Sequence, residues 1–483
     1  MATRRLLGLF DVASIVVGSI VGADIYIASA ITAGLLGPFS LAIWLVAGIF
    51  AILIAFVFAE CSSLVPRVGG PFAYVSAAFD DFWGFLAGWS LWIAEILALP
   101  VFTIAFVNYL EYLAPLDPLQ EILVKGVFVF ALTAVNIAGV KAAGLVNDAL
   151  TLVKLVPLFI IVVAGFMTLT WNPGPFIDNY TPLAPLGLQS AGTALVLIFW
   201  AYVGFELATL PAGEVENPER VIPRAIVIGM GIVMAFYIST NFIVYGVVNW
   251  KDLAMTKTPL VLVGRTLLGS AGALLMTIGA LFSVSGSNES GMIGTSRLSY
   301  AMAIDGLFPR IFARVHPVYQ TPVTGIFVQG LVAFLLSLFS SIQGLISFSV
   351  FNLAFAFLLT CFACIVLQEG SISTAHRVVP LAGLFICFFL IVSSSLIDAV
   401  VGILVILAGI PLYVFFSPKE DIHHLKAMFL SEEAVFLRRI EQKERYLANF
   451  ILMIHRLVHR RDMPVQENAV ATADDHHAVE RKK

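Results

Sequence analysis

Charge is scarce in this chain. Only 12% of its 483 residues are Asp, Glu, Lys or Arg, while 60% are apolar and the mean hydropathy is +0.97. A soluble domain carries about a quarter charged residues, so that class is excluded and an all-α polytopic membrane protein is implied. Cysteine is scarce too. Cys61, Cys361, Cys364 and Cys387 lie within or at the edge of apolar runs. No disulfide framework is expected of them, and the Cys361/Cys364 pair reads as packing, not as metal ligation. Missing altogether are a nucleophile set, a metal-ligating cluster and a phosphate-binding loop. Neither catalysis nor a metal or organic cofactor is therefore expected, and nucleic acid is not an expected partner. No cleavable secretory signal is apparent. The first apolar run is too long for a signal core and should remain as a helix.

Long apolar runs are what the chain has. Counting stretches able to cross about 30 Å of hydrocarbon at about 1.5 Å per residue predicts twelve transmembrane helices. They lie near residues 10–34, 39–64, 82–110, 121–140, 146–170, 188–211, 224–248, 267–295, 322–342, 344–367, 378–395 and 398–416. If Arg4 and Arg5 are inside, the even-numbered connections hold Arg67, Lys141, Arg220, Arg224, Arg297, Arg310, Arg314 and Arg377. The odd-numbered ones hold only Lys125, Lys251, Lys257 and Arg265. With twelve further Lys and Arg after residue 416, this bias predicts a plasma-membrane protein with both termini in the cytoplasm. Residues 431–461 carry Ile440, Leu447, Ile451, Ile454 and Val458 at helical spacing among charged residues. They predict a cytoplasmic or membrane-surface amphipathic helix, and 465–483 predict a disordered tail. The chain thus divides into a transmembrane domain, 1–416, and a cytoplasmic segment, 417–483.

Two runs are interrupted. The first holds Gly18-Ser19-Ile20-Val21-Gly22-Ala23-Asp24-Ile25-Tyr26, and the sixth holds Phe199-Trp200-Ala201-Tyr202-Val203-Gly204-Phe205-Glu206. In lipid, non-helical backbone is tolerated only where it is buried in protein or lines a cavity. A helix broken there offers N–H groups to anions and carbonyls to cations. Glycine also serves close helix packing, so the glycines alone leave both readings open. Three further stretches add to these: Pro66-Arg67-Val68-Gly69-Gly70-Pro71-Phe72-Ala73-Tyr74, Glu214-Val215-Glu216-Asn217-Pro218-Glu219-Arg220 and Ser296-Arg297-Leu298-Ser299-Tyr300-Ala301-Met302-Ala303. Together, across roughly 8–325, they resemble the amino acid, polyamine and organocation transporter superfamily. The resemblance implies a leucine-transporter-type fold. Two inverted five-helix repeats, about 10–170 and 188–367, would carry discontinuous first and sixth helices, with peripheral helices at about 378–416. It also implies secondary active transport of amino acids or related amines by alternating access. Substrate/product exchange and a nontransporting sensor are the rival functions.

Asp24, Glu95, Lys154, Glu206 and Glu289 fall inside predicted runs. Each costs about 2.5–3.5 kcal/mol at the centre of a lipid-exposed helix, so most should face a cavity or one another. Lys154 resembles an amine that stands in for sodium in proton-coupled members. Carbonyls of the broken first helix and the hydroxyls of Ser283 or Ser285 would hold its ammonium, which makes protons the coupling ion. A snorkelling lysine is the alternative. The resemblance gives Glu206 a gating or proton-sensing role, with a bond to the unwound first helix as the alternative. It makes Trp200 the ring that closes over substrate, with ordinary packing as the alternative. Substrate is expected between Gly22, Ala23, Asp24 and Ile25 on one side and Trp200, Ala201, Tyr202 and Gly204 on the other.

One residue departs from the family. Relatives commonly have Gly-Ser-Gly-Ile-Phe where this chain has Gly22-Ala23-Asp24-Ile25-Tyr26. Small residues leave backbone N–H groups free for a substrate carboxylate, whereas Asp24 would compete for them and repel it. Glu95 adds a second negative charge at about that depth. A polyamine, another amine or a basic amino acid fits this charge. The alternative is that Asp24 caps the second half-helix through the N–H of Tyr26 or Ile27.

Overall fold

The computed structural model describes residues 8–138, 140–209, 215–368 and 374–416. The predicted amphipathic helix at 431–461 and the tail after it lie outside the described residues, as do Arg4, Arg5 and Glu214. The fold is all-α. Its helices are α1 (Leu9–Ile20), α2 (Ala23–Leu36), α3 (Ser40–Leu64), α4 (Pro71–Ala78), α5 (Asp81–Glu111), α6 (Pro118–Ala138), α7 (Val140–Trp171) and α8 (Pro173–Asp178). They continue as α9 (Ala191–Ala201), α10 (Pro218–Val247), α11 (Trp250–Met255), α12 (Pro259–Ile304), α13 (Val323–Phe339), α14 (Ile342–Leu367), α15 (Thr374–Ser393) and α16 (Leu396–Phe416). Eight helical stretches among the described residues are long and apolar enough to cross a bilayer, the first being α1 to α3 taken together.

Local chemistry sets the helix starts. Proline opens α4, α8, α10 and α12, where a missing N–H costs nothing. Asp80 caps α5 by accepting from Trp83 N at 3.0 Å, and Asn249 and Ser341 cap α11 and α14 in the same way. Two predicted runs break. The first divides at Val21 and Gly22 into α1 and α2, and the sixth stops at Ala201 before a 3-10 turn, Phe205–Thr209. The eighth run extends beyond its predicted 267–295 in both directions and kinks at Gly269. Hydropathy marks only the apolar part of a helix, and α12 continues through the polar stretch from Ser296 to Tyr300.

Packing brings the two breaks together. Helix α5 runs through the middle against α12, α13 and α14, while α3 packs on α10 and α12 on α7. Helix α1 lies on the 205–209 turn, and α2 lies on α9. The halves of the two interrupted runs therefore meet head to tail, with their ends at one level. The four cysteines are free and buried.

Candidate functional site

A helix that stops inside a membrane leaves carbonyls without partners. In α1 those of Gly18, Ile20 and Val21 are each met by a side chain. Lys154 Nζ, on α7, donates to Gly18 O. Tyr237 Oη, on α10, donates to Ile20 O at 2.9 Å. Ser287 Oγ, on α12, reaches Val21 O at 3.5 Å. Lys154 is fully buried, so its ammonium sits at the partly negative end of a half-helix.

Asp24 occupies the other half. Its carboxylate interacts with the N–H groups of Gly22 and of Asp24 itself, and electrostatically with Lys154. Tyr237 Oη donates to its Oδ2 at 3.3 Å. No side-chain hydrogen bond caps the start of α2, so the expected cap through Tyr26 or Ile27 is not formed.

In the sixth run, Gly204 carries the break. Its φ is +127°, and a Cβ there would lie 3.1 Å from the backbone of Ser19 and Ile20. Only glycine combines that dihedral with that approach. The Gly204 N–H is freed by the break and donates to Glu206 Oε2 at 3.0 Å. Gly22 is a second close contact, since a side chain there would collide with Ser287.

Between the breaks lies a cavity of about 30 Å³. Asp24, Glu95 and Glu206 line it, and the carboxyl groups of Glu95 and Glu206 face each other. Trp200 and Phe102 line it as well, with ring centroids 5.7 Å apart. Among the described residues, no Lys, Arg or His is in its wall. The volume holds about one or two waters, so a solute enters only if the halves separate.

Several predicted residues stand elsewhere. Tyr202 points to α3, donating to Trp44 O at 3.1 Å and packing on Trp44 and Tyr237. Ala23, Ile25 and Ala201 are buried beside the cavity but do not line it. Ser285 donates to Leu281 O in its own helix at 2.7 Å. Ser283 is buried with no hydrogen-bond partner, and neither hydroxyl bonds Lys154. Glu289 is buried on α12 and does not line the cavity. Tyr237, Ser287 and Phe102 belong to the site and carry no signal in the sequence, beyond being polar or aromatic within apolar runs.

A family model described as amino acid permease matches residues 7–416. The chain belongs to the amino acid permease family. It is a multi-pass membrane transporter of amino acids and not an enzyme. An uncharacterised transporter of Mycobacterium tuberculosis is 31% identical over 412 residues, 85% of this permease and 91% of the relative. The serine/threonine exchanger SteT of Bacillus subtilis is 27% identical over 429 residues, 85% and 96% of the two chains. Cationic amino acid transporter 4 of Mus musculus is 27% identical over 389 residues, 76% and 61% of the two chains.

Proposed function

We propose that this permease carries cationic amino acids or related amines, driven by protons, through the cavity between its broken helices. The supporting observation is the wall of that cavity, with three carboxyl groups and no cationic side chain. A cation is the complementary occupant. The Asp24 carboxylate lies beside the N–H groups of Gly22 and Asp24 at the start of α2, so a substrate carboxylate has to compete with it there. The similarity to a mouse cationic amino acid transporter supports the same substrate class.

Alternating access follows from the head-to-tail arrangement. Moving α1 and the 205–209 turn opens the side where α1 begins, taken as cytoplasmic. Moving α2 and α9 opens the other. Trp200 and Phe102 would close over the substrate. Lys154 couples the proton, because its protonated form makes a charge-assisted hydrogen bond to Gly18 O that ties α1 to α7 more strongly than the neutral amine does.

Labelled uptake into proteoliposomes tests this. L-arginine, agmatine and putrescine should compete with one another and accumulate under an imposed pH gradient, and a protonophore should abolish accumulation. If neutral amino acids accumulate and the amines do not compete, the cationic reading fails. Similarity to SteT supports exchange as a second reading, for which uptake would need internal substrate and ignore the pH gradient.

A further inference from the structure

A second cavity, of about 570 Å³, opens on the face opposite the start of α1, where α2, α5 and α13 end and α6 and α14 begin. Its volume is in the range of small-molecule sites. It is not an extension of the first. On α5, Glu95, Ala98 and Phe102 line the central cavity, while Ile104 and Asn108 line this one. At about 100° per residue, Ile104 points some 200° away from Phe102.

Its wall contains an ion pair whose lysine is buried and whose glutamate side chain is 39% exposed. Lys125 on α6 is 6% exposed and places Nζ 2.6 Å from Glu121 Oε1, one turn earlier. It also donates to Ser337 O on α13 at 3.1 Å. A partly exposed pair one helical turn apart contributes little to stability, because solvent screens the attraction. An ammonium with a donor to spare and a carboxylate beside it, both on a cavity wall, form a site for opposite charges a few ångströms apart. Ile27, Ile31 and Leu338 supply apolar surface around it. The mouth is polar, with exposed Lys257, Ser341 and Gln343, so it faces water and not acyl chains.

We propose that this distal cavity is a second binding site, which takes the ammonium and carboxylate of a free α-amino acid. Glu121 receives the ammonium and Lys125 the carboxylate. The proposal rests on membership of the amino acid permeases, not on the cation preference of the central cavity.

Equilibrium dialysis of the full chain in detergent, with labelled L-arginine and labelled agmatine, tests it. Agmatine lacks the carboxylate. Lys125→Gln should bind one equivalent less L-arginine per chain than the native protein and the same amount of agmatine. L-alanine should also show one Lys125-dependent equivalent. Equal L-arginine binding by both proteins overturns the proposal, as does parallel loss of agmatine. A Lys125-dependent response to phosphatidylethanolamine, with none to L-alanine, overturns it too. If Lys125→Gln does not fold, Glu121→Leu/Lys125→Met removes both charges together and carries the same expectation. Absence of agmatine binding, with the Lys125-dependent L-arginine equivalent intact, would sink the central-cavity reading alone.

Discussion

Replacing Lys154 by methionine keeps most of the side-chain volume and removes the ammonium. The variant loses a charge-assisted hydrogen bond to Gly18 O, worth about 1.5–3 kcal/mol, and leaves that carbonyl without a partner in a dry site. The carboxylate of Asp24 loses its nearest compensating charge but keeps Tyr237 and its own N–H groups. The total is about 2–4 kcal/mol against the arrangement with α1 docked on α7. At a factor of ten per 1.4 kcal/mol, docking weakens roughly 30- to 700-fold. Hydrogen exchange read by mass spectrometry on peptides from α1 should show a loss of protection of that size, confined to α1 and the start of α2. In proteoliposomes the variant should equilibrate substrate without accumulating it under a pH gradient. Native protection in α1, or accumulation that still follows the gradient, would refute the reasoning.

Gly204→Ala forces a Cβ to a φ of +127° and against the backbone of Ser19 and Ile20. Strain of about 1–3 kcal/mol plus the contact should cut transport at least tenfold, measured as initial uptake rate at native expression. Tyr237→Phe removes the donor to both Ile20 O and Asp24 Oδ2. It should destabilise by about 1–3 kcal/mol, seen as a lower melting temperature in detergent, while Tyr245→Phe, further along α10, should leave uptake kinetics near native. Trp200→Ala opens the lid formed with Phe102. It should raise KM for uptake more than it lowers the maximal rate, and Trp200→Phe should recover most of the difference.

The membrane architecture was legible because lipid tolerates few alternatives. An apolar run long enough to cross it must be helical, and the long apolar helices fall on the predicted runs, while the short α4, α8 and α11 lie between them. The breaks were legible for a related reason, since a charge beside glycines has to face something other than lipid. Placement of the breaks needed more. Gly18 stays helical, and the chain parts at Val21 and Gly22, where Ser287 closes in. The expected hydroxyl partners of Lys154 were not found. Ser283 and Ser285 are two residues apart, about 200° around a helix, so both could not face Lys154. Neither bonds Lys154, and the α12 hydroxyl that reaches α1, Ser287, is set by the rotation of α12 through its packing on α5 and α7. Tyr237 and Ser287 lie over 200 residues from the carbonyls they meet, and nothing local marks such pairings.

Asp24 ties these observations together. A break in a membrane helix leaves two sets of polar backbone groups, and in this permease the carbonyl set is met by side chains. The carbonyls at the end of α1 take Lys154, Tyr237 and Ser287, and the Asp24 carboxylate lies beside the N–H groups of Gly22 and Asp24. A substrate carboxylate would therefore meet the Asp24 carboxylate at the start of α2, two anions in the same small volume. An incoming ammonium meets no such conflict, because Asp24, Glu95 and Glu206 all present oxygens to the cavity and no side-chain cation lines it. Selectivity on this argument comes less from attraction to one substrate than from denying the usual carboxylate seat to the others. Asp24→Asn tests the point directly, since it keeps a polar side chain of the same size while removing the fixed charge, and uptake of neutral amino acids should then rise relative to that of L-arginine.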